Sequence, residues 1–171
     1  LQSDNVNDFY RDMVDSILDR GIEISPRGLR TKEIRPVTII LDKPRERFLT
    51  CPGRKIQPYF QCLESVWILA GRGDVDFISY YLKNIETYSD DRNEFHAPYG
   101  TRMRKSNAYR DESFPIHVRD QFFDCLNVLI EDMSSRQAVM TFWNPSFDNF
   151  QVETKDRPCN CLFQFLYREG K

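Results

Sequence analysis

The sequence predicts a mixed domain of helices and strands, α/β or α+β, built on one sheet. Two observations predict it. Four stretches carry apolar residues at helical spacing, and short runs rich in β-branched and aromatic residues alternate with them. No repeat, low-complexity segment or interdomain linker breaks the 171 residues. A single domain over 1–171 is therefore expected, long enough to enclose one hydrophobic core.

Residues 5–20, NVNDFYRDMVDSILDR, place Val6, Phe9, Met13, Val14, Ile17 and Leu18 on one helical stripe, and Gly21 stands where a C′ glycine ends a helix. Residues 37–41, VTIIL, read as a buried strand between Pro36 and the charged segment DKPRER. Pro58 opens a second helix that runs through Leu63, Val66, Trp67 and Leu69 to Gly71. A third is expected near 75–86, with Phe77, Ile78, Tyr81, Leu82 and Ile85 as its apolar face. Residues 89–115 are polar, contain proline and show no period, which predicts a long loop of the kind that carries function. A helix near 117–132 follows, then strands over 137–143 and 159–167.

Composition narrows the function classes. At 40% hydrophobic and 13% aromatic residues the chain is globular rather than disordered. A net charge of −2 gives no electrostatic footprint for nucleic acid or a membrane surface. No apolar run approaches a membrane span, and the N-terminus lacks a signal-peptide core. Five cysteines, an odd number without framework spacing, point to free thiols in a reducing cytoplasm. With no C-x-x-C pair and only His96 and His117, no structural metal site is expected.

The stretch DRPCNCLFQFLYREGK, residues 156–171, poses the functional question. Strand alternation puts Cys159, Cys161, Phe163 and Phe165 on one face, and Asn160, Leu162, Gln164 and Leu166 on the other. Cys159 reads as a small core residue, as half of a soft-metal pair with Cys161, or as a nucleophile. A Pro-Cys at the first residue of a strand places the thiol at the end of the sheet, where loops converge.

Several blocks occur in a telling order. CLESVWILAG (62–71) holds a Glu, a Trp three residues on, and a Gly; PYG follows at 98–100. Asp120-Gln121 starts a helix that leads to Ser135-Arg136 and then Trp143-Asn144, and PCNCLFQF closes the series. In these blocks, across nearly its whole length, the chain resembles thymidylate synthase and its sister nucleotide hydroxymethylases. The resemblance implies a three-layer α/β fold around a mixed twisted sheet, dimerising sheet to sheet. It also implies transfer of a one-carbon unit from 5,10-methylenetetrahydrofolate to C5 of a pyrimidine nucleoside monophosphate.

The site residues follow from the same resemblance. C5 is a poor nucleophile until a thiolate adds at C6, and Cys159 matches that thiolate. Glu64 matches the carboxyl that manages protons on the pyrimidine, although by itself it reads as one of many helix glutamates. Tyr99 matches a tyrosine near the nucleophile, with a packed loop aromatic as its plain reading. Phosphate binding needs arginine forks. Spacing from Glu64 selects Arg27, with Arg30 in reserve, and Arg136 matches an arginine that reaches across a two-fold interface into the partner's site. Gln164 and Asn160 fall at nucleotide-pocket positions. Trp67, Ile85 and Lys55 fall at folate positions, with Arg54 beside Lys55.

Departures from the synthases bear on the product. Asn160 stands where they have histidine, Gln137 where they have a second arginine, and Ile85 and Tyr88 where they have a pair of tryptophans. The first of that pair shields the reacting methylene from water. Without it water takes the methylene, so a hydroxymethyl product is expected over a methyl one. The segment that reads the base in relatives is absent after Lys171, and a chain incomplete at its C-terminus is expected. A non-catalytic dimer that keeps the fold is the alternative from another class. Retention of Cys159, Glu64 and Arg136 together argues against it.

Overall fold

Asn5 starts the first helix, α1 (Val6–Arg20), of the computed structural model, which describes residues 1–107 and 118–170. The Asn5 side-chain oxygen accepts the N–H groups of Asn7 and Asp8, satisfying two donors that the first turn leaves free. The chain divides into two units, Leu1–Pro58 and Tyr59–Lys171.

In the first unit, α1 buries Phe9 and half-buries Val6, Met13, Val14 and Ile17, while Leu18 is exposed. Gly21 ends the helix, but not through a left-handed turn. Its φ is −67°, and a Cβ there would meet the Ile17 carbonyl oxygen at 2.3 Å, so close approach is what demands glycine. Strands β1 (Gln2–Ser3), β2 (Ile22–Ile24), β3 (Thr31–Glu33) and β4 (Ile40–Leu41) make two ladders, β1 parallel to β4 and β2 antiparallel to β3. The buried strand expected over 37–41 is corrected. Only its last two residues pair, on one edge, and Val37, Ile39 and Ile40 are exposed.

Pro58, the last residue of the first unit, opens α2 (Pro58–Leu69), whose remaining residues belong to the second unit, and Gly71, at φ +69°, ends it. Helix α3 (Val75–Tyr81) is capped by Asp74, whose carboxylate accepts the Phe77 N–H and both arms of the Arg72 fork. The helix expected to reach 86 stops at Leu82, which leaves the helical region; the chain continues in a tighter 3₁₀ segment, Lys83–Tyr88.

The loop expected over 89–115 contains a helix, α4 (Tyr99–Arg104), and a strand, β5 (Ser106–Asn107), which pairs with β6 (Val118–Arg119). Residues 108–115 of that stretch, and His117, lie outside the described residues. Helix α4 is legible only in space: a Cβ on Gly100 would lie 2.6 Å from the Arg72 carbonyl and 2.8 Å from that of Ile68, so glycine lets its first turn dock on the end of α2. Helix α5 (Gln121–Glu131) follows, capped by Asp120.

Strands β7 (Val139–Thr141) and β8 (Leu162–Gln164) pair antiparallel with Met140 opposite Phe163. Both are shorter than predicted, and Cys159 precedes β8 rather than opening it. The mixed class holds, but among the described residues the strands form four separate two-stranded ladders, not one sheet. The core gathers Met103, Cys125, Ala138, Met140 and Phe142, with Ile68, Tyr99, Phe122, Val128 and Leu129 packed around them. The Gln121 side chain fastens it, donating to the carbonyls of Arg102 and Thr141 and accepting the Thr141 N–H. All five cysteines are free thiols, and among the described residues no helix is long and apolar enough to cross a membrane.

Candidate active site

Cys159 lies exposed at the end of an irregular segment, 144–158, which returns the chain from β7 to β8. Pro158 before it is buried, so the turn is anchored on one side and open on the other. Tyr99, the first residue of α4, holds that turn. Its hydroxyl oxygen accepts the backbone N–H of Cys159 at 2.8 Å and that of Asn160 at 3.1 Å. The ring packs edge-on against Phe142 at 5.4 Å, and Phe142 in turn meets Phe163 of β8 at 4.9 Å. The core thus carries Tyr99 to the thiol-bearing turn.

The 144–158 segment is tied down along its length. Asp148 is 1% exposed. Burial pushes its carboxyl up, but the Arg102 fork, the Asn144 amide and His96 outweigh that and hold it below the usual carboxylate range. Arg102 engages both Asp148 oxygens, at 2.5 and 2.8 Å, and His96 Nε2 lies 3.3 Å from one of them. Arg157 donates to the carbonyls of Asp148, Asn149 and Val152. Asp90 accepts from Thr154 and Lys155, and Asp156 accepts the Ala97 N–H at 2.8 Å.

Glu64 sits half-buried on α2 with no hydrogen-bond partner among the described residues, and burial raises its pKa. Gln164 donates to the Arg136 carbonyl at 2.9 Å, so these two predicted residues meet, while Arg136 itself is exposed. Trp67 is 6% exposed; its indole N–H donates to the Asp74 carbonyl and its ring meets Phe95 edge-on. That ring belongs to the core and is not free to stack on a ligand. Ile85 is half-buried in the 3₁₀ segment, where it offers modest apolar surface.

In the first unit, Arg27 is the middle residue of a short 3₁₀ turn, Pro26–Gly28; its side chain lies outside the described part of the structure. Arg30 forms an exposed pair with Glu23 at 3.0 Å, and Arg54 and Lys55 are exposed in a loop.

A cleft of about 800 Å³ opens in the second unit, lined by residues that include Arg72, Phe95, Trp143 and, from the contacts around Asp148, His96, Arg102 and Asn144. Neither Cys159 nor Glu64 lines it. Reactive chemistry outweighs concavity here: the thiol, the phenol that grips its turn and the carboxyl with a raised pKa are all outside the cleft. Sequence reasoning missed Arg102, His96, Asp148 and Arg157. Arg102 stands three residues after Tyr99, one helical turn, but a buried aspartate's partner cannot be read from spacing alone.

A family model described as thymidylate synthase matches residues 8–171. The chain belongs to the thymidylate synthase family. Among its relatives is a deoxyuridylate hydroxymethyltransferase of Bacillus phage SP01, 45% identical over 162 residues, which are 95% of this chain and 42% of the relative. Two more relatives carry that name: one from Pseudomonas phage M6, 33% identical over 75% of this chain and 34% of its own, and one from Delftia phage PhiW-14, 28% identical over 74% and 35%. The chain therefore spans well under half the length of these curated relatives. Within the family assignment, the Tyr99 contact joins two blocks, PYG and PCNCLFQF, that lie 60 residues apart in sequence.

Proposed function

We propose that this chain is part of a folate-dependent enzyme that hydroxymethylates C5 of deoxyuridylate. The observation that carries the reading is the exposed Cys159 thiol, held by Tyr99 on the turn that leads into β8, in a chain 45% identical to a deoxyuridylate hydroxymethyltransferase. The Cys159 sulfur bonds to C6 of the uracil, and the electron pair released makes C5 nucleophilic. 5,10-Methylenetetrahydrofolate, when bound, supplies the one-carbon unit that C5 acquires. Glu64 takes and returns protons at the pyrimidine; its raised pKa suits a carboxyl that must do both. Water supplies the hydroxyl of the hydroxymethyl group while tetrahydrofolate leaves unoxidised, the proton on C5 is lost, and the electron pair left at C5 expels the Cys159 thiolate as the C6–S bond breaks.

Ile85 fits as an apolar contact for the folate and leaves the reacting carbon open to water, where a tryptophan would cover it. Trp67 does not fit a stacking role; it supports the site by anchoring the start of α3. Gln164 and Asn160 serve the nucleotide, and Arg136 binds phosphate across a homodimer interface within a three-layer fold. Arg27 and Lys55 keep their anion-binding roles on the resemblance alone. Single-domain organisation over 1–171 and a cytoplasmic location, which five free thiols suit, belong to the same reading.

The test incubates the full-length protein with methylenetetrahydrofolate and each of dUMP, dCMP, UMP and CMP, and weighs the products. A hydroxymethylated dUMP supports the proposal. A methylated product with dihydrofolate overturns hydroxymethylation in favour of reductive methylation, and no product from any nucleotide overturns the enzymatic reading. Cys159→Ala is expected to abolish turnover, whereas Cys161→Ala retains it.

A further inference from the structure

The segment that delivers Cys159 has no regular secondary structure to stiffen it, yet a nucleophile must be held to a fraction of an ångström. We propose that Arg102, Asp148 and Arg157 form a relay that positions the Cys159 turn, making them positioning residues for the reaction. The inference rests on the reading of Cys159 as nucleophile.

The relay is continuous. Arg102, with a side chain only 13% exposed, grips the Asp148 carboxylate with both arms and donates to the Phe142 carbonyl at 2.5 Å, so it spans the end of β7 and the segment beyond. The same carboxylate accepts the Asn144 N–H at 2.7 Å, while the Asp148 N–H returns to the Asn144 carbonyl at 2.8 Å, closing the first turn of the segment. The Asp148 carbonyl accepts Arg157 at 2.7 Å. Arg157 is two residues before Cys159, with only the buried Pro158 between.

Helix α4 holds both ends of this arrangement. Arg102 fixes where the segment starts, and Tyr99, one turn earlier on the same helix, fixes where it ends. A displacement of Asp148 is therefore transmitted to the thiol through Arg157 while Tyr99 resists it. His96 adds a contact to Asp148 and one to the Phe147 carbonyl, which steadies the middle of the relay. A surface ion pair could be lost with little consequence. This one is buried, bidentate and shared with backbone groups, so removing the charge loosens the segment from its start while the Asp90 and Asp156 contacts remain.

Hydrogen–deuterium exchange on the full-length protein reads the proposal directly, through the amides of Cys159 and Asn160. Asp148→Asn, which keeps the size of the side chain, is expected to speed their exchange about tenfold or more while the amides of α5 keep wild-type protection. With dUMP and folate, kcat is expected to fall roughly tenfold to a hundredfold with KM little changed. Arg102→Lys, which keeps the charge but not the fork, is expected to retain more of the rate than Arg102→Ala.

Should Asp148→Asn fail to fold, Arg157→Gln carries the test with the same expectations, since it leaves the buried pair in place and cuts only the tie to the end of the segment. Unchanged exchange at Cys159 and Asn160 in a folded variant overturns the proposal. Faster exchange with unaltered kcat overturns it too. If the wild-type protein makes no product, the functional reading fails, and the exchange rates alone decide whether the relay positions the turn.

Discussion

The Tyr99 hydroxyl oxygen accepts two backbone N–H groups, from Cys159 at 2.8 Å and Asn160 at 3.1 Å. An oxygen that accepts both keeps its own proton free to point elsewhere. Tyr99 therefore holds the backbone of Cys159 and presents a donor beside it, two tasks that one substitution separates from packing.

Tyr99→Phe keeps the edge-on contact with Phe142 and removes only the oxygen. Both amides lie on exposed residues, so water replaces the lost acceptor and stability falls by about 1 kcal/mol or less. Turnover is expected to fall further, by roughly tenfold to a hundredfold, because the turn is no longer fixed. Urea unfolding and steady-state kinetics on the same preparation check both halves; wild-type turnover would remove Tyr99 from the site.

Much of this was legible in the sequence, and the pattern of what was not is physical. The helices at 6–20, 58–69 and 121–131 announced themselves through apolar period and caps, because those signals are local. The family was legible from blocks in order, those that carry Glu64, Tyr99 and Cys159 among them, and the family match over 8–171 agrees. The short α4 was not, because six residues with a glycine near their start show no period, and it forms only by docking on α2. The strands at 37–41 and 159–167 were overdrawn because apolar runs report β propensity, whereas a ladder needs a partner along its length. Asp148 gave no signal in the sequence, because the Arg102 that pairs with it lies 46 residues earlier.

Gly100→Ala tests the docking of α4. The new Cβ would meet two backbone carbonyl oxygens, at 2.6 and 2.8 Å, and neither can swing aside as a side chain would. The helix must shift, at a cost of about 1–3 kcal/mol. Because Tyr99 is the preceding residue, turnover is expected to fall with stability. A urea midpoint equal to wild type would show that the approach of α4 to α2 is looser than these distances.

Asp74 gives a pH test with a definite sign. The Arg72 fork, opposed by partial burial and assisted by the Phe77 amide, lowers its pKa to about 2. A depressed folded-state value means stability that is present above the unfolded pKa, about 3.9, and lost as pH falls through the folded one. The pair is partly exposed, so the contribution is discounted to about 1 kcal/mol or less. Asp74→Asn keeps the helix cap and loses the pair. Its deficit in denaturant unfolding is expected at pH 7 and should be gone near pH 2. An equal deficit at both would place the effect in the cap rather than the charge.

Glu64 carries the opposite sign. Burial alone raises its pKa, with no partner among the described residues to offset it. A raised folded-state value means stability that is present below the unfolded pKa and lost as pH rises through the folded one. Above that window the wild-type protein carries a half-buried carboxylate, and Glu64→Gln removes it without changing shape. The variant is therefore expected to match or exceed wild-type stability at pH 7, by up to about 1 kcal/mol, and to lose that advantage near pH 4. Turnover is expected to fall roughly 10²- to 10⁴-fold if Glu64 handles protons at the pyrimidine. Stability gained with turnover lost is what a carboxyl held against its own solvation for chemistry must show. An unaltered rate would return Glu64 to the ordinary glutamates of a helix surface and leave the proton transfers to another group.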